Sequence, residues 1–442
     1  MEIEKVLDIA QKSLREYQWE IYFLDSKKLK SESQNFSIET YIFSQDSGYS
    51  IRVLKDGNQG FAYGTSFEEE DILQVIERAK DFTKITSPDD GNTIIEHLIP
   101  TQKVEYLDTF ALSLPPAEKI EKAIEIEKLV KSYDHRIKKV RNASFTEYFY
   151  HMHLYNSNGI HVEDKGTVYT AMVAAVAEED GDSQISWGYT ASRFLDELDL
   201  ESLAKETAKT AISLLGAKPL KTGRMRILFS PYVAAEFLGT FSSAFSGEAL
   251  IKGKTFFKGM EGKQVASSSI SIVDDGRLKL GVGTRSYDDE GVPTQETVLI
   301  EKGVFKGFLH NLYTAKKTNT NSTGNASRRG IKTLPSVSIT NLYIQNGTQD
   351  IGSLLKDFDE VFLITDIMGL HTADPISGNF SVGASGILYS KGEEVMGVRG
   401  VTIADNFLEL LQKVIALGND LKFYGNVGSP SILFEDVMVA GE

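Results

Sequence analysis

Two long runs rich in aromatic and β-branched residues stand on either side of a four-residue turn, and they restrict this chain more than any other feature. ASFTEYFYHMHLYN (143–156) and IHVEDKGTVYTAMVAAVAEED (160–180) flank NSNG (Asn156–Gly159), whose composition is that of a hairpin turn. Such residues suit a pleated, half-buried surface, so the centre of the chain is expected to be an antiparallel pair. Shorter strands around it, IYFLD, YIFSQDSGYSIRVLKDGNQGFAYG and SQISWGYTASR, carry glycine-bearing turns of their own. Helical spacing of apolar residues marks 3–17, a helix from about Ser66 to Thr83, another from Pro115-Pro116, and 200–215. Ser66 with Glu69 has the spacing of a capping box. Beyond Arg224 come a strand, RILFS, a helix, PYVAAEFLGTFSSAF, and then many short segments broken by turns. The fold class expected is α+β, in three units: an α/β domain at 1–95, an α+β domain at 105–218 and a β-rich domain at 221–442.

Composition narrows the chemistry. With no cysteine among 442 residues, disulfides, thiolate zinc clusters and cysteine nucleophiles are excluded. A net charge of -15 repels phosphate backbones, so direct nucleic-acid binding is not expected. The amphipathic, acidic N-terminus has no signal-peptide pattern, and no run is long and apolar enough for a membrane span. A soluble cytoplasmic protein without membrane contact is the expectation.

Several constellations invite a catalytic reading. Met368–Gly386, MGLHTADPISGNFSVGASG, gathers His371, Asp374, Ser377 and Ser381 among four glycines. A nucleophile elbow needs Gly-x-Ser-x-Gly between a strand and a helix, whereas Gly378 lies one place too far from Ser381 and the following SGILYSKGEE reads as strand and turn. The glycines are expected to serve turns and close backbone approach at Gly378, Gly383 and Gly386, with His371, Asp374 and Ser381 as candidates for lining a cleft. Asp288, Asp289 and Glu290 are candidates for a divalent cation, for acid/base work or simply for a turn. His151-x-His153 shares one strand face, with His161 beyond the turn. An even loop would pair His161 near Leu154 and turn it away, and only an odd loop or a bulge would bring it back. The reading at this point is no metal and no cofactor. Residues 302–349 hold seven Lys/Arg, Arg328 and Arg329 among them, and no Asp or Glu. That patch could meet a carboxylate such as a peptide C-terminus, or an acidic partner, or be only a solvated loop.

SYDDEGVPTQETVLIEKGVFKGFLHNLYTAKKTNTNSTGNASR (286–328), VSITNLYIQNGT (337–348), the 368–386 segment, KGEE and VRGVTIADNF follow one another in an order that resembles the C-terminal domain of the TldD/PmbA family. These are metallopeptidase-related proteins also called modulators of DNA gyrase. RVLKDGNQGFAYG (52–64) and the NSNG hairpin resemble its N-terminal and central domains. In the TldD-like branch a helix carries His-Glu-x-x-x-His, and a late cysteine completes a zinc site. The matching place here, RILFSPYVAAEFLGTFSSAFSGEAL (226–250), has no histidine, and the cysteine is missing too. The opening Met368–Ala373 resembles the other branch, PmbA or TldE. The resemblance implies a dimer around an internal chamber, in which a metal-free chain partners a zinc-bearing TldD-like paralogue, or a second copy of itself, and acts on peptides or unfolded segments. Two other readings stand beside it: an autonomous hydrolase using an unrecognised site, and a homodimeric regulatory protein linked indirectly to gyrase.

Overall fold

The computed structural model describes residues 2–442. Its first half is built on one six-stranded sheet: β1 (Gln18–Gln34), β2 (Ser37–Lys55), β3 (Asn58–Gly64), β4 (Ile137–Asn156), β5 (His161–Glu179) and β6 (Asp182–Ser192), in the order β3-β2-β1-β4-β5-β6. Every neighbouring pair is antiparallel. The units expected at 1–95 and 105–218 therefore contribute three strands each to one continuous sheet, joined where β1 pairs with β4 from Glu20↔Asn156 to Ser33↔Ala143.

Alternation gives this sheet two buried faces of different kinds. On one face Ile21, Phe23, Tyr49, Ile51 and Val53 pack against Val6 and Ala10 of α1 (Ile3–Ser13) and Ile72, Val75 and Ile76 of α2 (Glu69–Ile85). Further along, Phe145, Tyr169, Ala171 and Val173 pack against the helices Lys122–Ser132 and Leu200–Ser213. The opposite face presents Tyr22, Met152, Leu154 and Val162 to Tyr287, Val292, Leu312 and Ile331 of the C-terminal half. Burial of both faces explains why these strands read as richly apolar and aromatic.

The hairpin corrects one expectation. Tyr155 pairs with His161 and His153 with Glu163, leaving five residues, 156–160, between the last paired positions. Asn156 sets this odd loop: its side-chain oxygen accepts from the N–H groups of Asn158 and Ile160, and Gly159 takes φ +80°. His161 is thereby brought to the same face as His151 and His153.

The C-terminal half is β-rich. Two six-stranded sheets enclose the helix Pro231–Phe241, whose buried residues Val233, Phe237, Leu238 and Phe241 join a phenylalanine-rich core with Phe229, Phe245, Phe257, Phe305, Phe380, Phe407 and Phe434. Ser230 caps that helix and Pro231 occupies its first turn. Among the described residues no helix is long and apolar enough to cross a membrane.

Candidate functional site

The acidic triplet at 288–290 lies at the seam between the two halves, and its carboxylates diverge. Asp288 accepts hydrogen bonds from the N–H groups of Glu290 and Val292, 2.9 Å each, and of Ala326, 3.0 Å. Asp289 accepts from the Arg328 N–H at 2.6 Å and pairs with Arg285 at 3.1 Å. Glu290 accepts from the Leu312 N–H at 2.8 Å, and its other oxygen lies 3.6 Å from the Arg52 guanidinium. Burial pushes both Asp288 and Glu290 above the ordinary carboxylate range. Through these bonds the three carboxylates fasten the 286–292 turn to the segments around it.

Arg328 belongs to the same network. Its guanidinium pairs with Glu20 on β1, and Arg52 on β2 reaches Glu20 at 3.2 Å, all three side chains being buried. Burial works to raise Glu20, but Arg328 and Arg52 together hold it below its usual value. Arg52 also donates to Gln59 and to the Thr93 carbonyl. The charges are thus paired across the seam between halves, where an unpaired one would be costly.

Beside this network opens a cleft of about 740 Å³. One wall is the sheet: Tyr22, Tyr148, Tyr150, Met152 and Asp164. The other is the C-terminal half: Arg285, Asp289, Arg328, Arg329 and Lys332. Arg193, just past β6, donates to the Thr284 carbonyl at 2.9 Å and approaches the Tyr150 hydroxyl at 3.3 Å. Tyr150 in turn donates to Asp164, whose pKa burial pushes up to about 6. Of the seven cations at 302–349, Lys306, Lys317 and Arg328 are committed to carboxylates. The exposed Arg329 guanidinium makes no ion pair among the described residues, and Lys332 lies over the Tyr63 ring. The cleft mouth therefore keeps uncommitted positive charge in an otherwise acidic molecule.

His371, Asp374 and Ser381 are placed elsewhere. All three are exposed, and no hydrogen bond links them among the described residues. Asp374 closes a turn: its carboxylate accepts from the Ile376 N–H at 2.9 Å, and Ser377 holds its pKa below the usual range. Ser381 sits on the strand Asn379–Ser390, opposite Ala404. Gly378 takes φ +83°, and at Gly386 a Cβ would lie 1.9 Å from the Leu363 carbonyl oxygen, so both need glycine. Gly383 does not: a Cβ there would meet Met368 only at an ordinary 3.6 Å.

A second cleft, about 410 Å³, lies at the start of the Pro231–Phe241 helix between Trp187, Tyr189, Tyr232, Tyr389 and Tyr424. Here the Tyr232 hydroxyl donates to Glu236 at 2.8 Å. Burial raises the Glu236 carboxyl, and Asp366 adds to the effect. The helix carries no histidine, so the groups it brings together near its start are a phenol and a carboxylate. A further hollow, about 1110 Å³, is lined by Phe36, Phe110, Glu118, Glu121 and Lys128, and none of the candidate site residues from the sequence lines it.

Glu20, Arg193, Arg285 and Asp164 went unnoticed in the sequence. Glu20 and Arg328 are 308 positions apart, and no local spacing announces such a pair. Arg52 had a signal, since it opens RVLKDGNQGFAYG.

Comparison with known proteins accords with this architecture. Three family models match along the chain: PmbA/TldA metallopeptidase domain 1 at 19–81, the central domain at 111–215 and the C-terminal domain at 222–441. Metalloprotease PmbA of Escherichia coli O157:H7 is 26% identical, covering 92% of this chain and 88% of its own. The TldD homolog of Buchnera aphidicola (subsp. Acyrthosiphon pisum) is 25% identical over 92% and 89%. Among solved structures, TldE from Thermococcus kodakarensis superimposes with a TM-score of 0.89 at 27% identity, over 99% of this chain and 100% of that one. A Thermotoga maritima protein described as a candidate modulator of a DNA gyrase gives 0.91 at 28%, over 99% of both.

Proposed function

Because the chain belongs to the PmbA/TldD metallopeptidase family, we propose that it works as the PmbA/TldE-like subunit of a peptide-cleaving assembly. In this reading it supplies chamber wall and substrate-binding surface, and a zinc-bearing TldD-like paralogue supplies the catalytic metal. The observation that carries the reading is the helix Pro231–Phe241. It lies in the stretch where the TldD-like branch bears His-Glu-x-x-x-His, yet it has no histidine, and Tyr232, which lines the neighbouring cleft, donates to Glu236. The cleft between the sheet and the C-terminal half supports the binding role. Its aromatic wall of Tyr22, Tyr148 and Tyr150 suits peptide side chains, and Arg329 and Lys332 suit a terminal or acidic carboxylate. His371, Asp374 and Ser381, being exposed, would serve as contacts to substrate or partner and not as a relay.

The test is hydrolysis of unstructured peptides by the purified chain alone and mixed with a TldD-like paralogue. The mixture is expected to cleave and to lose activity with a chelator, while this chain alone does not. Full activity of this chain alone would overturn the reading and favour an autonomous hydrolase. Arg329→Ala, in the active mixture, is expected to raise KM for peptides with a free C-terminus several-fold, with kcat little changed.

A further inference from the structure

We propose that β4 and β5 carry a divalent transition-metal site, of the zinc class, formed by His151, His153 and Glu163 with His161 as the fourth donor. It stands apart from the Pro231–Phe241 helix and does not depend on the catalytic reading above.

The odd hairpin loop puts the four donors on one face in two cross-strand rows. His153 is directly opposite Glu163, and His161 is opposite Tyr155, two positions from Glu163. Ligand atoms of His151, His153 and Glu163 lie within 4.8 Å of one another. The closest approaches are already near those of a coordination sphere. His153 Nδ1 is 3.3 Å from His161 Nε2, and His151 Nε2 is 2.8 Å from Glu163 Oε1. Metal–nitrogen bonds of about 2.0–2.1 Å place neighbouring tetrahedral donors roughly 3.3 Å apart. His161 stands beside that group through its contact with His153, and all four residues sit on paired strands and not on loops.

Two facing imidazole nitrogens at 3.3 Å share at most one proton between them, and a cation can take that proton's place. The Tyr155 ring stacks on His161 at 4.1 Å and an angle of 5°, which fixes the imidazole plane. Three imidazoles and one carboxylate select zinc, nickel, cobalt or copper over magnesium and calcium.

The site can be tested on the full-length, chelator-stripped protein by titration with Co²⁺ and Zn²⁺. The expected result is about one equivalent bound, with the visible absorption of near-tetrahedral Co²⁺ displaced by Zn²⁺. His153→Ala is expected to weaken binding by roughly 100-fold or more, since changes to outer-shell partners alone cost 10–100-fold. Glu163→Gln preserves the side-chain shape, is expected to weaken binding less, and guards against a folding defect in the alanine variant. Binding below about a tenth of an equivalent would overturn the proposal. Binding that persists unchanged in both variants would place the metal elsewhere and overturn it equally. Neither outcome bears on the peptidase-subunit reading, which is decided by activity with a paralogue.

Discussion

His310 sits buried against Gly247, where an added Cβ would lie 2.5 Å from its Nδ1, and that nitrogen is 3.2 Å from the Thr314 hydroxyl. Burial lowers its pKa to about 4, against about 6.5 for a free imidazole. Between those values the unfolded chain binds the proton and the folded one does not. The stabilisation is therefore complete above about pH 6.5 and is lost as pH falls toward 4. Asp164 and Asp274 act in the opposite sense, because burial raises both to about 6. Their contribution is complete below the free carboxylate value of about 3.9 and is lost as pH rises through 6. Urea unfolding of wild type and His310→Gln at a series of pH values separates the two effects. The variant is expected to show a flatter fall in stability from pH 6.5 to 4, whatever its absolute stability. An unchanged slope would mean that His310 titrates as freely when folded as when unfolded.

The strand Asn379–Ser390 holds two glycines with opposite tolerance. Gly386→Ala drives a methyl into the Leu363 carbonyl and is expected to cost about 1–3 kcal/mol, as overpacked sites do. Gly383→Ala is expected to stay within about 0.5 kcal/mol. Thermal or urea unfolding of both variants checks the contrast. At this scale the sequence was legible where local chemistry decides the outcome. The NSNG hairpin, the helix after Ser230 and the strand-and-turn reading of SGILYSKGEE all lie where their residues said. It was less legible where a side chain had a competing partner. Ser66 did not form the expected capping box, because its hydroxyl donates to Asp71 at 2.6 Å and the helix begins at Glu69 without a side-chain cap. The helix expected over 3–17 ends at Ser13, short of the strand that begins at Gln18. The loop parity that set the histidine face depended on Asn156 bonding two backbone N–H groups, which composition alone does not specify. The acid triplet was legible as a turn, but its role in joining distant segments was not, since its partners come from residues 52, 312, 326 and 328.

Across the whole molecule the seam between the halves combines an apolar patch, Tyr22, Met152, Leu154 and Val162 against Tyr287 and Val292, with the buried Glu20, Arg52, Glu290 and Arg328 charges. Arg328→Ala leaves Glu20 with Arg52 as its remaining partner and removes a charge from beside Asp289. It is expected to cost about 3–5 kcal/mol, the usual penalty for breaking a buried pair. Glu20→Gln combined with Arg328→Gln is expected to recover part of that loss, because both charges go together. Denaturant unfolding of the single and double variants measures both quantities. The β1–β4 pairing carries a mechanical consequence as well. Fourteen consecutive residue pairs zip residues 20–33 to 143–156, so the sheet is a single stiff plate and the two N-terminal units cannot hinge against each other. Any motion that widens the cleft must then move the whole plate against the C-terminal half. A molecule divided into three stretches along its chain would then open like a book with two covers.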